Sequence, residues 1–272
     1  MTLQLHPSFA PYVASLRDRL PHALLLSGPL GAGLGTIAKN IADGSTLTLS
    51  PVDKDGKPSP SGSIATQHIR QLYDDTRSVH ARMVVIIDDA DTLTPAAQGA
   101  FLKLLEEPTS HTHFILTSHH PEKLLRTIRS RVQEYRVPPI TPEQTDQIIE
   151  NFSDLSSEQR AQLRFLAYGR PSLIARLAHD TEHLAATSTI VRDARTILSA
   201  PRRYDRLVVA LGYTNRAKAL ELLDMCISLS RFSLRSAASR ETIARLERLV
   251  DAHDAIRRNY NPRLQLLSLT LG

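Results

Sequence analysis

A single cysteine, Cys226, occurs in 272 residues. That excludes an internal disulfide framework and any cysteine-rich zinc site. The residue sits in the apolar run Leu222-Leu223-Asp224-Met225-Cys226-Ile227, where a buried small hydrophobe is expected rather than a nucleophile. No stretch approaches the ~18 uninterrupted apolar residues of a membrane span. Met1-Thr2-Leu3-Gln4-Leu5-His6-Pro7 has neither the basic nor the apolar region of a signal peptide. A soluble chain in a reducing cytoplasm, with no membrane partner, is the expectation. No internal repeat is visible. What is present, 42% hydrophobic and 22% charged residues, suits a globular chain of about two domains, three if small.

Charge is unevenly placed. Residues 183–272 hold 15 basic and 8 acidic side chains, and 14 of the 15 are Arg, whereas residues 1–182 hold 18 and 20. A basic C-terminal third marks a contact with nucleic acid or an acidic protein, or merely a solvated helical face.

The first 138 residues alternate short apolar runs with helical patterns. Ala23–Leu26, Met83–Ile87 and Phe114–Ser118 read as buried strands, and continuous apolar strands separated by helices predict a parallel sheet covered on both faces. Helices are expected through Ala38, Ile41 and Ala42, then through Ile64, Ile69 and Leu72 with Ser63 or Thr66 as cap. A third is expected after Thr94-Pro95, which reads as N-cap and first helical residue. Residues 50–63, rich in Pro, Gly and Ser, read as a surface loop. Pro138, Pro139 and Pro142 interrupt any helix or inner strand and mark a boundary. Beyond it the chain reads as all-helical: three short helices over 143–182 with a break at Gly169-Arg170-Pro171, then a longer section. In that section Ile243, Leu246, Leu249, Val250 and Ile256 are expected on one face, and Asn261-Pro262 opens a last helix.

In such sheets function concentrates in the loops at the carboxyl ends of the strands. After the first strand, Gly28-Pro29-Leu30-Gly31-Ala32-Gly33-Leu34-Gly35 has the frame of a phosphate-binding loop. Glycines let backbone N–H groups converge on phosphate, a Lys neutralises charge, and a Ser or Thr hydroxyl holds Mg²⁺. Here Leu34 stands at the lysine position and Gly35 at the hydroxyl position, while Lys39 is too far along and Thr36 one residue late. Productive ATP hydrolysis is not expected; nucleotide held by backbone amides alone, through Gly28, Gly31, Gly33 and Gly35, stays open. After the second strand, Asp88 occupies the place of a magnesium-holding carboxylate and Asp89 that of a water-polarising Glu. The competing reading, favoured here, has Asp88, Asp89 and Asp91 capping the next turn and facing water. Thr117 and Ser118 are read as strand-end hydroxyls satisfying backbone groups. His111, His113, His119 and His120 lack metal-ligand spacing and read as exposed loop residues.

The order of these pieces resembles the bacterial DNA polymerase III clamp-loader subunits of the AAA+ superfamily. The glycine loop is followed by Ile86-Ile87-Asp88-Asp89-Ala90-Asp91. Ala100-Phe101-Leu102-Lys103-Leu104-Leu105-Glu106-Glu107-Pro108 comes next, then Leu124-Leu125-Arg126-Thr127-Ile128-Arg129-Ser130-Arg131. It covers roughly residues 5–180 and continues more weakly to Asn259-Tyr260-Asn261-Pro262-Arg263-Leu264. The resemblance implies an α/β AAA+ module (1–139), a small helical lid (140–182) and a helical C-terminal collar for oligomerisation (183–272). In that family a Ser-Arg-Cys motif supplies an arginine finger to a neighbour's ATP site; here it reads Ser130-Arg131-Val132. Arg131 is therefore expected to act in trans, where its permanently charged fork suits a γ-phosphate. Thr117 and Ser118 stand where the family's first sensor would contact a γ-phosphate or its water. Many relatives carry a four-cysteine zinc module where this chain has residues 50–63, so no zinc is expected. The second-sensor Arg of hydrolysing subunits is replaced by Ser172, with Arg170 and Arg176 out of step.

The implied role is a catalytically silent subunit that assists ATP-driven loading of a sliding clamp onto primed DNA. Its partners would be an ATP-hydrolysing neighbour, a clamp-opening subunit, the clamp and the DNA. Two alternatives stand beside it: an active ATPase with substitute ligands, and an Arg-rich nucleic-acid-binding module.

Overall fold

A computed structural model describes residues 3–42, 46–59, 62–77, 82–106, 111–236 and 239–271. Pro60 and Ser61 of the Pro/Gly/Ser stretch, and Glu107 and Pro108 of the Leu104–Pro108 motif, lie outside them. Two compact units divide the chain, Met1–His179 and Asp180–Gly272.

The first unit is built on a five-stranded sheet. In chain order its elements are α1 (Ala10–Asp18), β1 (Ala23–Ser27), α2 (Leu34–Ala42), β2 (Thr46–Leu49), α3 (Thr66–Arg77), β3 (Met83–Ile87), α4 (Pro95–Glu106), β4 (Thr112–Ser118), α5 (Arg126–Arg129) and β5 (Gln133–Arg136). The strands run in the order β2-β3-β4-β1-β5, and every neighbouring pair is parallel. Side chains alternate across a strand, so each apolar run feeds two cores. Leu24, Leu26, Val84, Ile86 and Ile115 pack with α1 and α2 on one face. Leu25, Val85, Ile87, Phe114 and Leu116 pack with α3, α4 and α5 on the other. The Phe101 and Phe114 rings meet edge to face at 5.3 Å.

Two strands escape the apolar-run criterion. β2 reads Thr-Leu-Thr-Leu and alternates between exposed and half-buried; β5, Gln-Glu-Tyr-Arg, is mostly exposed. Both lie at the sheet edges, where one side faces solvent and polar residues are tolerated. Thr94 caps α4, accepting from Ala97 N at 3.2 Å. Of the two caps expected, Ser63 lies three residues before α3 and Thr66 is already its first residue, and Ile64 lies outside the helix. It bridges Leu93 in parallel instead, and α3 begins at Thr66. Three helices complete the unit: α6 (Pro142–Glu150), α7 (Ser157–Leu166) and α8 (Pro171–His179). The first two open with reciprocal capping boxes, Thr141 with Gln144 and Ser156 with Gln159. The break before α8 is set by Gly169 at φ +70°, where a Cβ would stand 2.7 Å from Pro139 Cβ.

The second unit is helical: α9 (Thr181–Ser199), α10 (Arg203–Gly212), α11 (Arg216–Ser236), α12 (Arg240–Arg257) and α13 (Pro262–Leu271). Asn261 caps the last, accepting from Arg263 N and Leu264 N. The face expected on α12 is shifted. Leu249, Ala252 and Ile256 are buried, but Ile243 is 46% and Val250 36% exposed. At about 100° per residue these two lie close together in projection, on the side of α12 turned away from the Leu249–Ile256 stripe. Cys226 is fully buried, and desolvation pushes its thiol up to about 12, as befits a core residue.

Candidate functional site

The carboxyl ends of β1, β3 and β4 converge, and their loops form one hydrogen-bonded network. Gly28 N donates to Ser118 O. Thr117 Oγ1 donates to Asp88 Oδ1 at 2.7 Å and accepts from Asp89 N at 2.9 Å. Ser118 Oγ donates to Asp91 Oδ1 at 2.8 Å and accepts from His120 N at 3.1 Å. Both hydroxyls thus satisfy a backbone amide and also tie the acidic turn to β4.

Asp89, which stands at the N-cap of the following turn, makes no side-chain cap bond. Asp91 faces inward rather than toward water: its side chain is 8% exposed, with Lys123 Nζ 3.8 Å away. Burial works against its ionisation, but hydrogen bonds from Ser118 and His119 N outweigh that and hold its carboxyl below the ordinary value. Asp89 shows the opposite balance. Burial first, then the adjacent Asp88 charge, push its carboxyl above the ordinary value, while His119 pulls the other way. Its backbone is left-handed at φ 50°, a region that Asn tolerates well. His119 is no free loop residue. Its Nδ1 is 2.9 Å from Gly28 O and its Nε2 3.5 Å from Asp89 Oδ1, so it bridges the glycine loop and the acidic turn.

A carboxyl raised by the fold favours its neutral form, so the native protein loses stability as pH rises through the raised value. Asp89→Asn is neutral throughout. It is expected to melt above the wild type at pH 7, with the difference closing below about pH 4, where free carboxyls protonate. Melting curves across pH check this, and a pH-independent difference would contradict it.

The glycine loop is shaped by the helix that covers it. Gly31 and Gly33 adopt φ +86° and +85°. A Cβ on Gly31 would stand 2.7 Å from Leu173 Cβ, and one on Gly33 2.8 Å from Ser172 Oγ. Ser172 N donates to Gly31 O at 3.1 Å. These glycines therefore admit the first turn of α8, a close approach that the loop's sequence does not announce. Leu34, at the lysine position, is 2% exposed and belongs to the α1–α2 core. Gly35 faces Asp88: a Cβ there would lie 3.1 Å from Asp88 Oδ1. Arg170, beside Ser172, donates to Leu166 O; burial, and then Arg176, depress its guanidinium.

Arg131 stands apart from this cluster, beyond α5. Its Nη1 donates to Thr127 O at 3.0 Å and its Nη2 lies 2.9 Å from Glu106 Oε1, leaving the side chain 40% exposed. Ser130 Oγ also donates to Thr127 O, so it closes the turn rather than reaching outward. Val132 packs against the α3–α5 core.

Sequence reasoning passed over Gln98, which is 4% exposed. Its Nε2 lies 3.3 Å from both Leu93 O and Lys123 O, and its Oε1 accepts from Leu125 N at 2.8 Å. One amide thus joins the acidic turn, α4 and the start of α5. A polar residue at an otherwise apolar helix position was the signal.

Residues 48–141 match a protein-family model described as DNA polymerase III, delta subunit. The DNA polymerase III subunit gamma/tau of Mycobacterium tuberculosis (strain ATCC 25618 / H37Rv) is 35% identical over 146 residues, 45% of this chain and 25% of that protein. DNA polymerase III subunit delta' of Yersinia pestis is 47% identical over 73 residues, 25% of this chain and 21% of that protein. The chain thus spans about a quarter of the length of the curated relatives it matches first. Among solved structures, a DNA polymerase III gamma subunit-related protein from Thermotoga maritima superposes with a TM-score of 0.52 at 17% identity, covering 97% of each chain. The chain shares the fold of that gamma subunit-related protein, and its sequence similarities include DNA polymerase III gamma/tau and delta' subunits.

Proposed function

We propose that the chain is a catalytically silent, delta-prime-type subunit of a DNA polymerase III clamp loader. It would assist ATP-driven loading of a sliding clamp onto primed DNA and supply Arg131 in trans to an ATP-hydrolysing neighbour. The observation that carries the silent half of this reading is the seating of α8 on the glycine loop. Ser172 and Leu173 pack against Gly31 and Gly33, and Ser172 N donates to Gly31 O, so α8 brings Ser and Leu side chains to the loop where a phosphate would bind. Leu34 buried in the core and Gly35 against Asp88 support it, since loss of charge-assisted contacts weakens γ-phosphate chemistry most.

The active half rests on the exposure of Arg131 at a turn held by Thr127 and Glu106. A guanidinium so placed is reachable by a second subunit, and its planar fork suits a phosphate. Tyr204, Val208 and Leu211 lie exposed along one face of α10 and suit assembly through the C-terminal unit.

The isolated chain is expected to show no ATP hydrolysis and no shift in melting temperature with Mg-ATP. Added to the ATP-hydrolysing subunits of its own loader, it should raise their DNA- and clamp-stimulated rate. Hydrolysis by the isolated chain that Asp88→Ala abolishes would return the assignment to an active ATPase.

A further inference from the structure

Glu106 is the last described residue of α4, and its side chain is half exposed. Within α4 the cation three residues before it is Lys103. Across the surface, however, its Oε1 lies 2.9 Å from Arg131 Nη2, while Thr127 O accepts from Nη1 of the same guanidinium at 3.0 Å. Two acceptors on two different nitrogens fix the plane of a five-donor fork, on a side chain that is 40% exposed. The same helix grips the preceding segment at its other end, through Gln98 Oε1 and Leu125 N. Thus α4 holds the Arg131-bearing turn from both sides.

We infer that Glu106 is a positioning residue for Arg131, holding the guanidinium in the orientation in which it meets a neighbouring subunit's phosphate. This rests on the trans-acting role of Arg131 proposed above. The carboxylate touches no reacting atom. Its contribution is to spare the long Arg side chain the rotamer freedom that it would otherwise lose on meeting the phosphate.

The test has two arms. In the isolated chain, NMR of the Arg131 guanidinium should show slower rotation about Nε–Cζ in the wild type than in Glu106→Gln. Equal rotation overturns the inference whatever Arg131 does in the complex. In the reconstituted loader, Glu106→Gln should lower the stimulated ATPase kcat by about fivefold, the worth of one exposed charge pair, with KM unchanged. Glu106→Asp should recover part of that loss, and Glu106→Gln should add nothing to Arg131→Ala. An unchanged or increased rate, or a loss that persists in full beside Arg131→Ala, overturns it. Restricted rotation with no effect of Arg131→Ala on rate would instead remove the trans-acting finger and leave the contact purely structural.

Discussion

Replacing Arg131 by alanine in the reconstituted loader should lower the DNA- and clamp-stimulated ATPase by about a hundredfold or more at the site that it faces. Arginine fingers contribute ~10³–10⁵ in other NTPases, and subunits whose fingers come from elsewhere would dilute the loss in a bulk assay. Assembly should stay intact by sizing, because the lost contacts are one exposed ion pair and one bond to Thr127 O, together worth little stability. Arg131→Lys should recover little, since an ammonium lacks the fork that engages two oxygens. An unchanged rate with intact assembly would remove Arg131 from the mechanism and leave the chain a spacer.

The second large effect is expected at Gln98. Substituting leucine keeps the volume but strands Leu93 O, Lys123 O and Leu125 N, all of which the amide now serves. Buried unsatisfied backbone groups cost ~1–3 kcal/mol each, and relaxation of the short α5 turn should recover part of the sum. Gln98→Leu is therefore expected to destabilise the first unit by about 2–4 kcal/mol in urea unfolding. A companion prediction concerns geometry: the stimulated rate should fall although Arg131 is intact, because α5 loses the anchor at its start. If Gln98→Leu is as stable as the wild type, the amide is incidental to the packing.

Much of the α/β unit was legible because a buried parallel strand needs apolar side chains on both faces. Ala23–Leu26, Met83–Ile87 and Phe114–Ser118 announced β1, β3 and β4. The edge strands did not, since Thr46–Leu49 and Gln133–Arg136 bury too little to need an apolar run. Ile64 misled for a related reason: its apolar side chain fits a helix pattern equally well, and only the bridge to Leu93 places it elsewhere. In the second unit the apolar periodicity of α12 identified the helix but misplaced its face. Ile243 and Val250 are as hydrophobic as Leu249, and the position of α11 decides which side is covered.

The candidate site divides in the same way. The sequence by itself determined that Leu34 and Gly35 follow the glycine loop, that Arg131 follows Ser130, and that a single cysteine excludes a cysteine-rich zinc module. Those are facts of residue identity, and chemistry follows directly from which groups exist. Only the tertiary structure decided that α8 sits on Gly31 and Gly33, that His119 bridges Gly28 and Asp89, that Asp91 turns inward, and that Glu106 and Gln98 hold the Arg131 turn. Each of these joins residues well separated in the chain. Such contacts depend on how strands and helices stack in space, and local periodicity carries no record of that.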